Sequence, residues 1–325
     1  MNKDILNLVE AINKEIAQFN FGDSPKELYE PIRYIMDLGG KRMRPLLVAL
    51  SYQLFNENVH KVMKPAIAVE VFHNFTLMHD DIMDHAPLRR GQPTVHTRWN
   101  DNIAILSGDV MMVRAYELFL EVEDSQFKTV ISKFNKCATE VCEGQQLDMN
   151  FETQEVVTVP EYLEMIRLKT AVLLGFSVEL GAILAGASDE DQRLMSAFGT
   201  NIGLGFQLKD DLLDVYADQA KFGKQPGGDI IANKKTFLLI KALENAGGAI
   251  KNELNSWLQR REFDKEEKVS AVKGIYDQLG IKDLAENKMN EYFQMGFEAL
   301  EHLNVDPGRK EKLMAFTKYL VNREK

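Results

Sequence analysis

Asp80, Asp81 and Asp84 stand in one short stretch, His73 to Thr94, and Arg89 and Arg90 follow them at once. A second cluster, Asp210, Asp211 and Asp214, repeats that acidic spacing much later in the chain. On an ideal helix Asp80 and Asp84 lie one above the other, with Asp81 on the flank and His73 and Leu77 on the same stripe. Gln207, Asp210 and Asp214 share a face in the same way. Like charges at this spacing cost about a few tenths of a kcal/mol. Pro87 ends the first helix, so its aspartates also meet the negative end of the helix dipole, at about 0.3–1 kcal/mol per charge. A divalent cation reverses both penalties. Oxygen-only donors suit Mg²⁺, which keeps several waters and shares substrate phosphates. One such cluster alone reads equally well as a solvated acidic face; two, each in an apolar helix, point to metal.

The cations have a matching pattern. Lys41 and Arg44, after Gly39-Gly40 and before Pro45, stand at a helix start, where the dipole disfavours positive charge and an anion would satisfy both. Arg89 and Arg90 can each grip phosphate oxygens at two points. Lys169, beside Thr170, sits in a mostly apolar helix, a costly place for an ammonium without a partner. Lys224 and Lys234 flank a glycine-rich loop after the second acidic cluster. Singly, each of these is an ordinary surface cation, and His73 an ordinary core histidine. Together they describe a deep site for two diphosphates.

The elements that must position these groups read as helices. Ile5, Leu8, Ile12 and Ile16 recur at helical spacing. A second helix stops at Gly39-Gly40, a third runs through Leu54, and a fourth runs from near Pro65 to Asp84. Further helices are predicted over 101–122, 125–150, 160–186, 190–218 and 234–246, with three more amphipathic ones beyond Gly248 that carry no legible chemistry. No strand-like alternation bounded by turn pairs is visible. No linker or composition shift divides residues 1–325, so the expectation is one all-α domain.

Composition sets the outer bounds. The 325 residues are 45% hydrophobic and 27% charged, a globular profile. A formal net charge of -10 argues against nucleic-acid binding. Cys137 and Cys142 point to different faces of a helix, so neither a metal site nor a disulfide is favoured. No signal peptide is legible, and the most apolar stretch, Ala171 to Ala187, is broken by Glu179 and short for a membrane span. A cytoplasmic protein is the expectation.

These residues resemble the trans-polyprenyl (isoprenyl) diphosphate synthases, geranylgeranyl and farnesyl diphosphate synthases among them. The likeness is strongest over 30–245. It runs through Gly39-Gly-Lys-Arg-Met-Arg44-Pro, Glu70-Val-Phe-His73, Asp80-Asp-Ile-Met-Asp84, Arg89-Arg-Gly-Gln-Pro-Thr94, Gly108-Asp109, Lys169-Thr170, Gln207 to Asp214, and Gly223-Lys224 with Gly228-Asp229 and Lys234. Two departures stand out. Leu238 occupies a position where many relatives have proline, and Trp99-Asn100 replaces an aromatic-glycine pair, asparagine being the residue that best tolerates left-handed backbone.

The resemblance implies a helical prenyltransferase fold around a deep central cavity, a homodimer, and three Mg²⁺ ions bridging both aspartate motifs to an allylic diphosphate (dimethylallyl, geranyl or farnesyl). It makes Asp80, Asp84 and Asp210 the metal ligands, with Asp81 and Asp214 in support. Arg89, Lys169, Thr170, Gln207, Lys224 and Lys234 would hold the allylic diphosphate, and Lys41, Arg44, His73 and Arg90 isopentenyl diphosphate. Asp80, Asp81, Asp84, Arg89, Lys169, Asp210 and Lys224 form the catalytic set. Diphosphate would leave, the isopentenyl double bond would attack the allylic cation, and the departing diphosphate would take the proton. That chemistry needs no side-chain base, and no Ser-His-Asp or Cys-His arrangement is visible.

By the same resemblance, bulky Phe75 and small Thr76, just before Asp80, set product length at the twenty-carbon geranylgeranyl diphosphate. Helical geometry itself turns Phe75 well to one side, so ordinary core packing is the competing reading, and a farnesyl or longer product the alternative. A helical HD-type metal phosphohydrolase would use His73 and His79-Asp80 but leaves Asp210–Asp214, Arg89-Arg90 and Lys169-Thr170 unexplained. A terpene cyclase normally has a different second metal motif. A non-catalytic subunit of a heteromeric synthase typically loses aspartates or basic residues that this chain keeps.

Overall fold

The computed structural model describes residues 3–217 and 227–321. Its helices begin and end where the local chemistry dictates. α1 (Lys3–Gln18) buries Ile5, Leu8, Ile12 and Ile16 along one stripe. α2 (Lys26–Asp37) stops before Gly39 and Gly40, both at positive φ. α3 (Met43–Phe55) and α4 (Met63–Met83) follow, a short 3₁₀ turn leading into α4. After α5 (Val95–Arg98) comes α6 (Asp101–Phe119), whose N-cap Asn100 accepts a hydrogen bond from the Ile103 amide at 2.9 Å. Asn100 is extended, at φ -172, so the asparagine works as a helix cap and not, as expected, as a left-handed residue.

α7 (Asp124–Thr153) holds Cys137, buried, and Cys142, exposed; neither is in a disulfide. The helix expected over 160–186 is instead three pieces. α8 (Val159–Ile166) starts with a capping box between Thr158 and Glu161. Arg167–Ala171 is a π-helical turn, and α9 (Val172–Leu184) continues from it. α10 (Asp189–Tyr216), α11 (Gly228–Ile231) and α12 (Phe237–Asn245) follow. Among the described residues beyond Gly247 there are four helices, not three: α13 (Gly248–Gln259), α14 (Lys265–Gln278), α15 (Ile281–Glu301) and α16 (Pro307–Val321). The break before α14 contains neither glycine nor proline. It is marked only by Asp264, whose side chain accepts from the Glu267 amide at 2.9 Å.

A second departure from the sequence pattern is a minimal hairpin. β1 (Leu88–Arg89) pairs antiparallel with β2 (Gln92–Pro93) through the two-residue turn Arg90-Gly91. Both turn residues have positive φ, 54 and 76, which matches the twist of a hairpin.

The chain divides into two compact units, each built from separated segments. The first comprises Met1–Lys136, Phe176–Ser196 and Leu303–Phe316; the second comprises Cys137–Gly175, Ala197–His302 and Thr317–Lys325. In the first unit α4 packs mainly against α6, over a core that includes Ile67, Ala68, Val71 and Phe72. Phe72 and Phe119 meet Phe134 with ring centroids 5.1 and 4.7 Å away, and Phe176 joins at 5.8 Å. The second unit has its own apolar core, with Leu208, Leu238, Leu254 and Ile281 at its centre. Among the described residues no helix is long and apolar enough to cross a membrane.

Candidate active site

In the first unit the site is assembled at the start of α3, the end of α4 and the hairpin. The Gly39-Gly40 turn delivers Arg42 in left-handed backbone, φ 46, which is strained for a residue with a side chain and persists only where contacts fix it. Those contacts are complete. Arg42 donates from Nε to Asn13 Oδ1 at 3.1 Å, from Nη1 to Glu70 Oε1 at 2.9 Å and from Nη2 to the Met36 carbonyl at 2.7 Å. Both Arg42 and Glu70 are buried, so Arg42 is an inner anchor, and its neighbour Lys41 is left exposed.

One turn after Glu70 lies His73. Burial, then the positive charges of Arg44, Arg90, Arg89 and Arg42, hold its imidazole well below the usual range. His73 is therefore neutral amid a group of arginines, a field that favours an anion. Arg90 lies against Gly40, where a Cβ would come within 3.0 Å of its guanidinium.

Asp80 falls in the last turn of α4 and Asp84 is its C-cap, the amide of Asp84 donating to the Asp80 carbonyl at 2.9 Å. The predicted dipole penalty is thus present. Asp81 is held differently. It is buried, and Arg89 donates to both its oxygens, Nε to Oδ2 at 2.8 Å and Nη2 to Oδ1 at 2.7 Å. Arg89 Nη2 also lies 3.8 Å from Asp80 Oδ2. Phe75 and Thr76 are half-buried on the same helix. The Phe75 ring lies 5.7 Å from Phe72 and 4.7 Å from His79, and His79 Nε2 is 3.1 Å from the Ile105 carbonyl on α6.

In the second unit the π turn carries Lys169 and Thr170, the kind of local distortion often found at functional sites. Gly144 on α7 permits it: a Cβ there would lie 2.2 Å from the Lys169 amide nitrogen. Lys169 Nζ pairs with Asp148 Oδ2 at 2.6 Å, and Lys234 Nζ lies 3.6 Å from the same oxygen. Burial works to raise Asp148, but Lys234 and Lys169 outweigh it and hold the carboxyl below its usual range. Asp148 is absent from the sequence prediction; its signal was the apolar setting of Lys169, which demands a carboxylate.

Thr170 donates to Gln207 Oε1 at 3.1 Å, and Gln207 donates to Asp211 Oδ1 at 3.2 Å. Asp211 also accepts from buried Tyr162. Burial, then the charge of Asp229, push Asp211 up to about 8. Asp214 Oδ2 accepts from the Asp229 amide at 2.9 Å. Burial and Asp214 raise Asp229 to about 6. Asp210 is exposed on the same helix, and Lys224 lies outside the described residues.

The donors fit Mg²⁺. Among the described residues no three His, Cys, Asp or Glu side chains converge to hold an ion by themselves. Carboxylates in pairs suit an ion that takes one or two protein oxygens and completes its shell with water and substrate phosphate. Asp80 and Asp84 have that character in the first unit, and Asp210 and Asp214 in the second. Asp81 and Asp211 are committed to Arg89 and to Tyr162 with Gln207.

Comparison with known proteins decides the family. The model of the polyprenyl synthetase family matches residues 25–276. The chain belongs to that family. A geranylgeranyl diphosphate synthase of Methanosarcina mazei is 40% identical over 302 residues, covering 92% of this chain and 91% of that protein. A crystal structure of a geranylgeranyl pyrophosphate synthase superposes with a TM-score of 0.94 at 43% identity, covering all of both chains. A polyprenyl synthase from Caulobacter crescentus, solved with calcium and isoprenyl diphosphate, has a TM-score of 0.85 at 27% identity, covering 99% of this chain and 95% of that one. The fold is the all-α prenyltransferase fold, and a family member of this kind is a prenyltransferase.

Proposed function

We propose that the protein elongates an allylic diphosphate with isopentenyl diphosphate, head to tail, and releases diphosphate, with geranylgeranyl diphosphate as product. The observation that carries this reading is neutral His73 ringed by Arg44, Arg89 and Arg90 on the helix that ends in Asp80 and Asp84. Anion-binding and cation-binding groups on one element are what a metal-assisted diphosphate reaction requires. The names of the relatives, and the calcium and isoprenyl diphosphate in the Caulobacter structure, support it.

In this reading Lys41, Arg44, His73 and Arg90 hold isopentenyl diphosphate. Arg89, Lys169, Thr170, Gln207, Lys224 and Lys234 hold the allylic diphosphate. Asp80, Asp84, Asp210 and Asp214 are the Mg²⁺ ligands, and Asp81 acts through Arg89. Bound Mg²⁺ supplies positive charge to the leaving diphosphate. Arg89, Lys169 and Lys234 stabilise that charge as the allylic C–O bond breaks. The isopentenyl double bond attacks the resulting cation, and the departing diphosphate takes the proton. The chain is read as one catalytic domain, since the match to the family runs over residues 25–276.

The protein is further read as a cytoplasmic homodimer. Ile105, Leu106, Val113 and Leu120 stand exposed on and just beyond α6, with Leu106, Val113 and Leu120 seven residues apart, an apolar stripe that a second copy of the chain would cover. The phosphohydrolase alternative loses support, because His79 Nε2 is engaged with the Ile105 carbonyl and its ring pressed on Gly108. Purified protein with Mg²⁺, isopentenyl diphosphate and farnesyl diphosphate should yield a dominant twenty-carbon product. A longer dominant product would sink the length assignment, and release of monophosphate without elongation would sink the reaction.

A further inference from the structure

Lys268, on α14, is completely buried, which is rare for a lysine and costly unless its donors are satisfied. Its Nζ donates to Asn233 Oδ1 at 2.7 Å and to the Ile231 carbonyl at 3.1 Å, and it lies 4.2 Å above the Phe263 ring. Among the described residues no carboxylate pairs with it. A buried ammonium held by neutral acceptors and a ring is therefore spent on fixing the chain at 231–233.

That stretch has a particular shape. Asn233 is left-handed, φ 53. Its amide is held from two helices at once, Oδ1 by Lys268 of α14 and Nδ2 by the Leu258 carbonyl of α13, at 3.0 Å. The next residue is Lys234, whose amide closes back on the Asp229 carbonyl at 2.9 Å and whose Nζ reaches toward Asp148 beside Lys169. The backbone hand at Asn233 thus sets where the Lys234 side chain emerges.

α14 also holds the chain on either side of 218–226. Asp277 accepts from the Tyr216 hydroxyl at 2.9 Å, and Val269 packs so closely on Gly227 that a Cβ there would lie 2.5 Å from its Cγ2. One helix therefore secures the end of α10, which carries Asp210 and Asp214, and the start of the segment that ends in Lys234.

We propose that Lys268 is a positioning residue for Lys234, acting through Asn233, and that it thereby tunes affinity for the allylic diphosphate. The proposal rests on the assignment of Lys234 to that substrate made above. Steady-state kinetics of the full-length enzyme with Mg²⁺, varying farnesyl diphosphate and isopentenyl diphosphate separately, tests it. Lys268→Met should raise KM for farnesyl diphosphate about tenfold, the scale of loss when a remote change displaces a binding group, and leave KM for isopentenyl diphosphate within about twofold. Asn233→Gly keeps the left-handed backbone accessible and removes both side-chain bonds, so it should shift the same constant in the same direction. A lowered melting temperature with both KM values unchanged would make Lys268 merely structural and overturn the proposal. If Lys268→Met fails to fold, an unchanged farnesyl diphosphate KM in Asn233→Gly overturns it equally. Lys234→Ala is the reference: if it leaves that KM unchanged, the underlying assignment fails. If it raises KM while the other two variants do not, only the positioning role fails.

Discussion

Asp81 closes on Arg89 with both carboxylate oxygens, at 2.8 and 2.7 Å, while its neighbour Asp80 stands 3.8 Å from the same guanidinium. Adjacent, chemically identical residues therefore have different duties. Asp80→Asn should reduce turnover by at least about a hundredfold with little change in melting temperature, because it removes charge from the proposed Mg²⁺ ligand and relieves like-charge repulsion. Asp81→Asn should lower the melting temperature, since hydrogen bonds between charged groups contribute about 1.5–3 kcal/mol each. It should raise KM for the allylic substrate more than it lowers kcat. Equal kinetic defects in the two variants would contradict this division.

The buried pair of Arg42 and Glu70 holds the turn from which Lys41 and Arg44 emerge. Removing one partner of such a pair costs about 3–5 kcal/mol. Glu70→Gln is milder, because it keeps an acceptor for Nη1 but loses the charge. It should lower stability measurably by urea unfolding and raise KM for isopentenyl diphosphate by about tenfold, leaving KM for farnesyl diphosphate near wild type. An isopentenyl constant unchanged in a destabilised variant would show that the turn is rigid without the pair.

His73 gives a pH dependence with a definite sign. Its folded pKa lies well below the ordinary imidazole value near 6.5, so the unfolded chain binds the proton first. The neutral ring contributes stability that is fully present above that unfolded value. It is lost as pH falls below it, toward the folded pKa, at up to about 1.4 kcal/mol per pH unit. Unfolding free energy measured from pH 7.5 to 5 should fall less steeply in His73→Gln. Added inorganic diphosphate should flatten the wild-type slope, because a bound anion offsets the arginine field. Identical slopes in the two proteins would remove His73 as the source.

Phe75 sits in an aromatic row with Phe72 and His79. Phe75→Ala should both shift products beyond twenty carbons and destabilise the fold by about 3–5 kcal/mol at the upper limit for a fully buried ring. Because the ring is only half-buried, the smaller end is expected. Product sizing by reversed-phase chromatography reads the first effect, and an unchanged product distribution would leave Phe75 as packing alone.

Periodicity made the helices legible, because burial of one face every turn writes itself into the sequence, as Ile5, Leu8, Ile12 and Ile16 show in α1. The acidic and basic motifs were legible because mutual repulsion needs a chemical reason. The π turn at Lys169 was not, because a shift of one residue in the hydrogen-bond ladder leaves the apolar pattern intact. The hairpin was hidden by its turn residues: Arg90-Gly91 lacks the asparagine or aspartate that usually signals paired positive φ. Glu70, Asp148 and Lys268 are known by their partners, and partners distant in sequence are set only by the fold. The helices beyond Gly248 looked mute for that reason, although Lys268 ties one of them to the site.

The hairpin turn has one more consequence. Arg89 ends β1, fixed by Asp81, and Arg90 begins the turn, lying against Gly40. Two cations assigned to different substrates thus hang from one tight turn. Any change that twists the turn must swing both, so mutations at Gly91 should move the two Michaelis constants together. Evolution of primer preference through this loop is constrained to paths that also preserve the partner substrate.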